Sequence, residues 1–111
     1  MGRILGVDYG EIRIGLSLSD NTKSIAFPFK TIKNKNINFL LDFFRKLNSE
    51  KNIESIVIGL PLGMNGKDTL QTKNVRIFSK SLGILGFPIF FQDERLTSIS
   101  AKKSLIKQNI K

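Results

Sequence analysis

The sequence predicts an α/β fold in which one mixed five-stranded sheet is flanked by helices. Two observations support this class. The first third of the chain holds three strand-like runs joined by short turns, and the rest alternates helical with strand-like patterns. A helical connection returns the chain to the same end of a sheet, so the later strands should be parallel. The expected order is β-β-β-α-β-α-β-α, in a single domain over residues 1–111.

The first three strands are predicted within the first 32 residues. Residues 3–9 form a short run rich in apolar side chains, and residues 12–19 alternate apolar with small or polar residues, which is the period of a strand. Gly10 and Glu11 between them predict a tight hairpin. Residues 25–32 form the third run, and its proline predicts a strand at the sheet edge.

The next two elements are a helix and a buried strand. Residues 36–47 carry apolar side chains at positions i, i+3, i+4 and i+7, which predicts a helix. Asn36 is a suitable N-cap, and Arg45 and Lys46 suit the negative end of the helix dipole. Residues 55–60 form a continuous apolar run, as expected for a strand covered on both faces.

A second helix and a fifth strand are predicted next. Asp68 is expected to open the helix, with Gln71 three residues later completing a variant of the capping box. Gly83 and Gly86 are expected to end it. Residues 88–92 then form the fifth strand, and a last short helix is expected further on.

Composition limits the chemistry. The chain has no Cys and no His, which excludes disulfides, thiolate metal sites and Ser/His/Asp triads. Its net charge of +9, from 18 basic and 9 acidic residues, favours nucleic acid as a partner. Compositional drift of the genome would give the same excess of lysine. No signal peptide is recognisable, and no apolar run approaches the roughly 20 residues of a membrane span, so we expect a cytoplasmic protein without a membrane partner.

The first candidate motif surrounds Asp8 and runs from Gly6 to Gly10. An acid at the end of a strand, followed by glycine, places a carboxylate where a bound group can approach the backbone. Gly15 and Asp20 downstream strengthen this interpretation. The alternative is an aspartate that only caps the hairpin turn.

The second candidate is the loop after the fourth strand, around Gly59, Gly66 and Lys67. Loops at the carboxyl ends of strands collect ligands. A phosphate-binding P-loop is excluded, because Pro61 and Asp68 stand where that motif needs Gly and Ser or Thr. Lys67 and the amides before the helix can still bind phosphate. The alternative is a plain turn.

The third candidate is the triplet Asp93, Glu94 and Arg95 at the end of the fifth strand. Clustered carboxylates suit Mg²⁺ or Mn²⁺, which prefer oxygen ligands. If this strand lies near the first, these acids approach Asp8. The alternative is a surface ion pair followed by Thr97 as the cap of a helix over residues 98–108.

Three quoted segments together resemble the YqgF/RuvX family, whose members are assigned as Holliday junction resolvases and as pre-16S rRNA nucleases. The segments are GVDYGEIRIGLSLSD, IVIGLPLGMNGKDTLQTKNVRIFSKSL and DERLTSISA. Their order and spacing match over nearly the whole chain, and the resemblance implies an RNase H-like fold. Family members continue into a further helix with another Asp, and the quoted segments stop before it. We therefore expect an incomplete metal site, with weak cleavage and persistent binding of nucleic acid.

The resemblance implies roles for particular residues. Asp8, Asp93 and Glu94 are the predicted catalytic acids and ligands of Mg²⁺ or Mn²⁺, with the choice between the last two left open. The predicted contacts to nucleic acid or phosphate are Arg13, Lys67, Arg95 and Thr97. The motif glycines are Gly6, Gly10, Gly15, Gly59 and Gly66. Asp20, Pro61 and Asn65 also match the family's motifs.

The leading hypothesis is a metal-dependent nuclease that hydrolyses phosphodiester bonds in structured nucleic acid, at the 5′ end of pre-16S rRNA. Two alternatives stay open: a Holliday junction resolvase acting on branched DNA, and a binding module without turnover. A third, actin-like ATPase, also has a first phosphate loop resembling the Asp8 motif. It needs two related domains, whereas 111 residues supply one. We expect a monomer or a weak homodimer.

Overall fold

The computed structural model describes residues 2–20, 22 and 26–93 of the chain. Within these residues the elements are β1 (Arg3–Tyr9), β2 (Arg13–Ser19), β3 (Ala26–Lys33), α1 (Ile37–Lys51), β4 (Ile53–Leu60), α2 (Leu70–Ile84) and β5 (Ile89–Asp93). The helix expected over residues 98–108 lies outside the described residues.

The five strands form one mixed sheet in the order β3-β2-β1-β4-β5. Strand β2 is antiparallel to both β1 and β3, whereas β1, β4 and β5 are parallel to one another. The predicted α/β class and mixed five-stranded sheet are confirmed. Strand β3 lies at an edge, as Pro28 predicted, because a proline cannot donate a backbone hydrogen bond to a second neighbour.

The hydrophobic core lies between the sheet and the two helices. Alternate residues of β1, including Leu5 and Val7, point into it and meet Phe44 of α1 and Phe78 of α2. The ring of Tyr9, two residues after Val7, also lies on this side, with its centroid 4.6 Å from that of Phe78. Because successive side chains of a strand point to opposite faces, the residues between them face away from the helices. We call these the helix face and the Asp8 face of the sheet.

Helix α1 begins where the sequence predicted and ends later. The side chain of Asn36 accepts a hydrogen bond from the amide of Phe39 at 2.8 Å, so the predicted N-cap is confirmed. The helix continues past residue 47 to Lys51 and ends at Asn52, whose φ of 54° is left-handed. The apolar pattern stops at 47 because the last turn faces solvent, so periodicity alone placed the end one turn too early.

The start of α2 corrects a second prediction. Thr69 is the N-cap, and it exchanges hydrogen bonds with Thr72 in a capping box, in place of Asp68 and Gln71. The carboxylate of Asp68 instead pairs with the guanidinium of Arg76, with nitrogen–oxygen distances of 2.7 and 3.0 Å. The side chain of Asp68 therefore forms a salt bridge with a residue two turns along α2 and does not cap the helix.

The end of α2 differs slightly from the expectation. Gly83 lies inside the last turn, and the helix ends at Ile84, before Gly86 with its φ of 95°. Strand β4 begins at Ile53, two residues before the predicted start. None of the helices in the described ranges has the length and apolar character needed to cross a membrane.

Candidate active site at the carboxyl ends of the parallel strands

Asp8 stands near the carboxyl end of β1 with glycines on both neighbouring strands. It pairs with Gly15 of β2, and because Val7 pairs with Ile58, Gly59 of β4 follows at the level of Asp8. The side chain of Asp8 is exposed. Neither glycine adds a side chain beside Asp8, so within the described residues no side chain at these two strand positions blocks the approach of a ligand's backbone.

The hairpin after Asp8 is closed tightly at Gly10. A Cβ atom on Gly10 would lie 2.5 Å from the carbonyl oxygen of Arg13, a contact that only glycine avoids. Asn34, at the end of β3, fastens the same turn: its Nδ2 donates to the Gly10 carbonyl at 2.8 Å, and its amide donates to the Ile12 carbonyl at 2.8 Å. The turn that follows Asp8 is therefore held from a third strand.

Two basic side chains share the Asp8 face. Arg13 lies two residues before Gly15 on β2, so both point to the same side, and Arg13 pairs across the strands with Lys33 of β3. Both are exposed. Like charges directly opposite one another destabilise a sheet. A bound polyanion would relieve this repulsion, because its phosphates neutralise both side chains.

The loop from Pro61 to Thr69 lies at the same edge of the sheet, between β4 and α2. Gly66 has a φ of 81°, and its amide donates to the Gly63 carbonyl at 2.9 Å, which closes a turn. The buried hydroxyl of Thr72 donates to the Pro61 carbonyl at 2.6 Å and so ties the start of the loop to α2. Lys67 is exposed on this loop, and its amide donates to the Asn65 side chain at 3.0 Å.

The ion pair of Asp68 and Arg76 fixes the junction between this loop and the helix. The hydrogen bond from Arg76 holds the pKa of the Asp68 carboxyl below its ordinary value, and the charge of the guanidinium acts in the same direction. The same hydrogen bond raises the pKa of Arg76. Both groups lie at the surface, so this pair orders the loop more than it stabilises the fold.

The second acidic motif is described only as far as Asp93. Strands β1, β4 and β5 are neighbours, and all three end at one edge. Asp93 pairs with Leu60, which belongs to the helix face, whereas Gln92 pairs with Gly59 and shares the face of Asp8. Asp93 thus lies on the opposite face from Asp8, two strand spacings or about 10 Å away. The sequence predicted that Asp93 approaches Asp8. The structure places Asp93 at the same edge, but its side chain points to the other face of the sheet.

Three further predicted site residues, Glu94, Arg95 and Thr97, lie outside the described residues. In the ranges that are described, no group of three acidic side chains gathers in a way that could hold a metal ion. Asp8 supplies one of the one or two carboxylates through which proteins bind Mg²⁺ together with substrate phosphates. The described residues alone therefore hold at most part of a metal site.

A cleft of about 650 Å³ opens beside the hairpin. In the described part of the chain it is lined by the hairpin residues 10–13 and by Gln71 in the first turn of α2. Charged and amide side chains at its rim, together with the exposed Ile12, suit a polar ligand with an apolar face.

Sequence reasoning missed Lys33 and Asn34. Neither belongs to a recognisable motif, and each matters only through pairing with residues 20 or more positions earlier. A usable signal was present, because an Asn two residues after the predicted edge strand is a common turn residue.

Comparison with known proteins gives three concordant findings. A family model described as RuvX, Holliday junction resolvase, matches residues 2–111. A protein of Zymomonas mobilis subsp. mobilis named "Putative pre-16S rRNA nuclease" is 35% identical over 106 residues, which cover 96% of this chain and 65% of the relative. A protein of Roseiflexus sp. with the same name is 39% identical over 111 residues and 79% of its own length. The chain thus spans just under two thirds of the first relative.

Solved structures show a shared fold. A structure titled "T. thermophilus RuvC in complex with Holliday junction substrate" matches 99% of this chain and 78% of that one, with a TM-score of 0.64 and 10% identity. A large terminase nuclease from the thermophilic phage G20c matches 98% of this chain with a TM-score of 0.57 and 14% identity. These likenesses confirm the RNase H-like fold that the sequence resemblance implied.

Proposed function

The chain belongs to the RuvX family, and from this premise we propose that it is a nuclease that hydrolyses phosphodiester bonds in structured nucleic acid. The observation that carries the proposal is the surroundings of Asp8. An exposed carboxylate stands at a strand end, with glycines on both sides and the basic pair Arg13 and Lys33 on the same face. Such a surface admits a phosphate backbone and supplies an acid next to it.

The proposed substrate is pre-16S rRNA, cleaved toward its 5′ end. The names of the curated relatives support this choice. The side chains of Arg13, Lys33 and Lys67 neutralise phosphates on either side of the cleaved bond, and Arg95 and Thr97 are proposed as further phosphate contacts. Action on pre-rRNA would place the protein in the cytoplasm, in agreement with the sequence expectation.

We propose Mg²⁺ or Mn²⁺ as the cofactor, held by Asp8 together with an acid of the second motif. Asp93 belongs to the helix face, so Glu94 is the better candidate for this second ligand. When bound, a divalent ion supplies an activated water and charge stabilisation at the leaving oxygen. Asp8 contributes a fixed negative charge that binds the ion, and the glycines beside it leave room for the scissile phosphate.

A Holliday junction is the second candidate substrate, because the matching family model carries that description. The two candidates make different demands. Resolution of a four-way junction requires two symmetric cuts, whereas maturation of an RNA end requires one. A monomer therefore favours the RNA substrate, and a stable symmetric dimer would favour the junction.

The test is a cleavage assay with two substrates. A 16S rRNA precursor with its 5′ extension and a four-way DNA junction are incubated with the protein in Mg²⁺, in Mn²⁺ or with a chelator. We expect metal-dependent cleavage of the precursor, abolished by Asp8→Asn and retained by Asp42→Asn, which removes an exposed acid of α1. Binding of both substrates without any cleavage would overturn the nuclease proposal and leave a binding module.

A further inference from the structure

The cleft beside the hairpin, which we call the hairpin cleft, opens next to Asp8. Its hairpin wall begins at Gly10, two residues beyond Asp8 in the chain, or about 7 Å along an extended backbone. Arg13 lines the hairpin cleft and also belongs to the Asp8 face, where it stands opposite Lys33. A nucleic acid strand whose phosphates lie on the Asp8 face therefore has this cleft within reach of one of its nucleotides.

Both walls of the hairpin cleft are held by hydrogen bonds from elsewhere in the fold. Asn34 donates to two carbonyl oxygens of the hairpin, each at 2.8 Å. The other wall is Gln71 in the first turn of α2, and the capping box of Thr69 and Thr72 holds that turn. Because the walls are ordered before a ligand arrives, less free energy is lost in ordering them on binding.

The lining of the hairpin cleft, within the described residues, combines one apolar side chain with three polar ones. Ile12 is 76% exposed, and beside it lie the carboxylate of Glu11, the guanidinium of Arg13 and the amide of Gln71. In the described part of the chain no hydrogen bond or ion pair engages the side chains of Glu11 or Gln71. The volume of about 650 Å³ falls in the range of small-ligand pockets.

A nucleobase matches this lining better than a phosphate does. The carboxylate of Glu11 repels a phosphate inside the cleft, whereas the ring of a base can cover the aliphatic side chain of Ile12 and its edge can donate to the carboxylate. The phosphate of the same nucleotide then lies outside, beside Arg13. Proteins recognise single-stranded nucleic acid in this way, through splayed bases that are hydrogen-bonded along their Watson–Crick edges. A paired base has no such edge available, so the base must be unpaired.

The carboxylate of Glu11 also selects among the bases, because it can only accept hydrogen bonds. Guanine presents two donors side by side on its Watson–Crick edge, the ring N–H and the exocyclic amino group, which match the two carboxylate oxygens. Adenine and cytosine each present an amino group next to an acceptor nitrogen, and uracil presents one N–H between two carbonyl oxygens. The amide of Gln71 can donate to the carbonyl oxygen of guanine.

We infer that the hairpin cleft binds an unpaired guanine of the substrate, next to the phosphate that lies at Asp8. Ile12, Glu11 and Gln71 contact the base, and Arg13 contacts the phosphate of the same nucleotide. The inference rests on the proposed action on nucleic acid at Asp8 and adds a base preference to it. Cleavage then takes place beside a single-stranded guanine and not within a paired helix.

Binding of short labelled oligouridines, followed by fluorescence anisotropy in the presence of a chelator, tests the base preference without cleavage. One oligonucleotide carries a single guanosine, and the others carry inosine, adenosine or cytidine at the same place. Inosine lacks only the exocyclic amino group of guanosine. We expect the guanosine oligonucleotide to bind about ten-fold more tightly than each of the others, because a hydrogen bond to a charged group is lost in every replacement.

Matched variants assign the preference to the hairpin cleft. Glu11→Ala should reduce the ratio of guanosine to inosine affinity to about one, as expected when both partners of one contact are removed. Glu50→Ala removes the same charge from α1 and should keep the ratio of the parent. Ile12→Ala should weaken binding of the guanosine oligonucleotide, whereas Ile77→Ala, at an exposed position of α2 outside the described lining, should not. The thermal midpoints should match that of the parent, because all four side chains are exposed.

Two results would overturn the inference. One is equal affinity for the guanosine and inosine oligonucleotides, or a preference that persists in Glu11→Ala. The other is a guanosine that binds equally well when a complementary strand pairs with it. Guanine preference in a chain that cleaves nothing would keep this inference and refute the nuclease proposal, whereas cleavage without guanine preference would do the reverse.

Discussion

Asp8, the second-last residue of β1, and Asp93, the last residue of the parallel strand β5, lie at the same edge of the sheet and face opposite sides of it. The pairing of Asp93 with Leu60 places its side chain on the helix face, whereas Asp8 faces away from the helices. Two acids so arranged cannot both bind one ion without distortion of a strand end. This relationship makes a direct prediction about the second acidic motif.

The first prediction concerns the two acids of that motif. Glu94→Gln should reduce metal-dependent cleavage at least about ten-fold, because loss of a direct ligand costs no less than loss of the outer groups that orient a ligand. Asp93→Asn should retain most of the activity, because its side chain is on the other face. Single-turnover cleavage of the rRNA precursor measures both. The reverse order of effects would mean that β5 twists at its end, and our assignment of the ligand would be abandoned.

The second prediction concerns the basic pair of the Asp8 face. Arg13→Gln and Lys33→Gln should each weaken binding of the rRNA precursor and lower the slope of log K against log salt by about 1. Lys46→Gln removes the same charge from α1, on the helix side of the sheet, and should change the slope less. Filter binding across a salt series gives these slopes. Equal slopes for all three variants would show that only net charge matters.

The third prediction uses one substitution at two neighbouring asparagines. Asn34 donates through Nδ2 to the Gly10 carbonyl, whereas Asn36 accepts through Oδ1 from the amide of Phe39. Asn34→Asp should lower the free energy of unfolding by about 1–2 kcal/mol, because a carboxylate would face a carbonyl oxygen. Asn36→Asp should change it by less than about 0.5 kcal/mol, because Asp caps a helix as well as Asn. Urea denaturation compares them, and similar losses in both would contradict the assigned roles.

The fourth prediction concerns the buried hydroxyl under the loop. Thr72→Val keeps the shape of the side chain but removes the donor to the Pro61 carbonyl and one half of the capping box. The free energy of unfolding should fall by about 1–3 kcal/mol. Thr31→Val, at an exposed position of β3, is the control and should stay within about 0.5 kcal/mol of the parent. A Thr72→Val protein as stable as the control would show that water replaces the lost bond.

The fifth prediction is a pH dependence at Asp68. Because Arg76 holds the folded-state pKa of this carboxyl below its ordinary value, the ion pair contributes its stabilisation above about pH 4 and loses it as the pH falls through the folded-state pKa. NMR titration should show the pKa of Asp68 rising toward its ordinary value in Arg76→Gln. Arg45→Gln, which breaks the separate pair with Asp42, should leave it unchanged. A shift of equal size in both variants would refute a specific pair.

The sequence by itself determined the fold class, the order of the elements through β5 and the strand-end position of Asp8. These follow from local patterns: alternation in β2, helical spacing over residues 36–47, and the Pro28 signal for an edge strand. Such patterns are readable because the period of a buried face is set by backbone geometry within a few residues.

The tertiary structure alone decided the register of the strands and the partners of polar side chains. In the folded chain Asp93 lies on the face opposite Asp8, and Lys33 lies beside Arg13. Thr69, and not Asp68, is the N-cap of α2. A shift of one residue in pairing reverses the direction of every side chain in a strand. The local sequence of β5 does not determine this register, because the register depends on how β5 pairs with β4 and packs against the core.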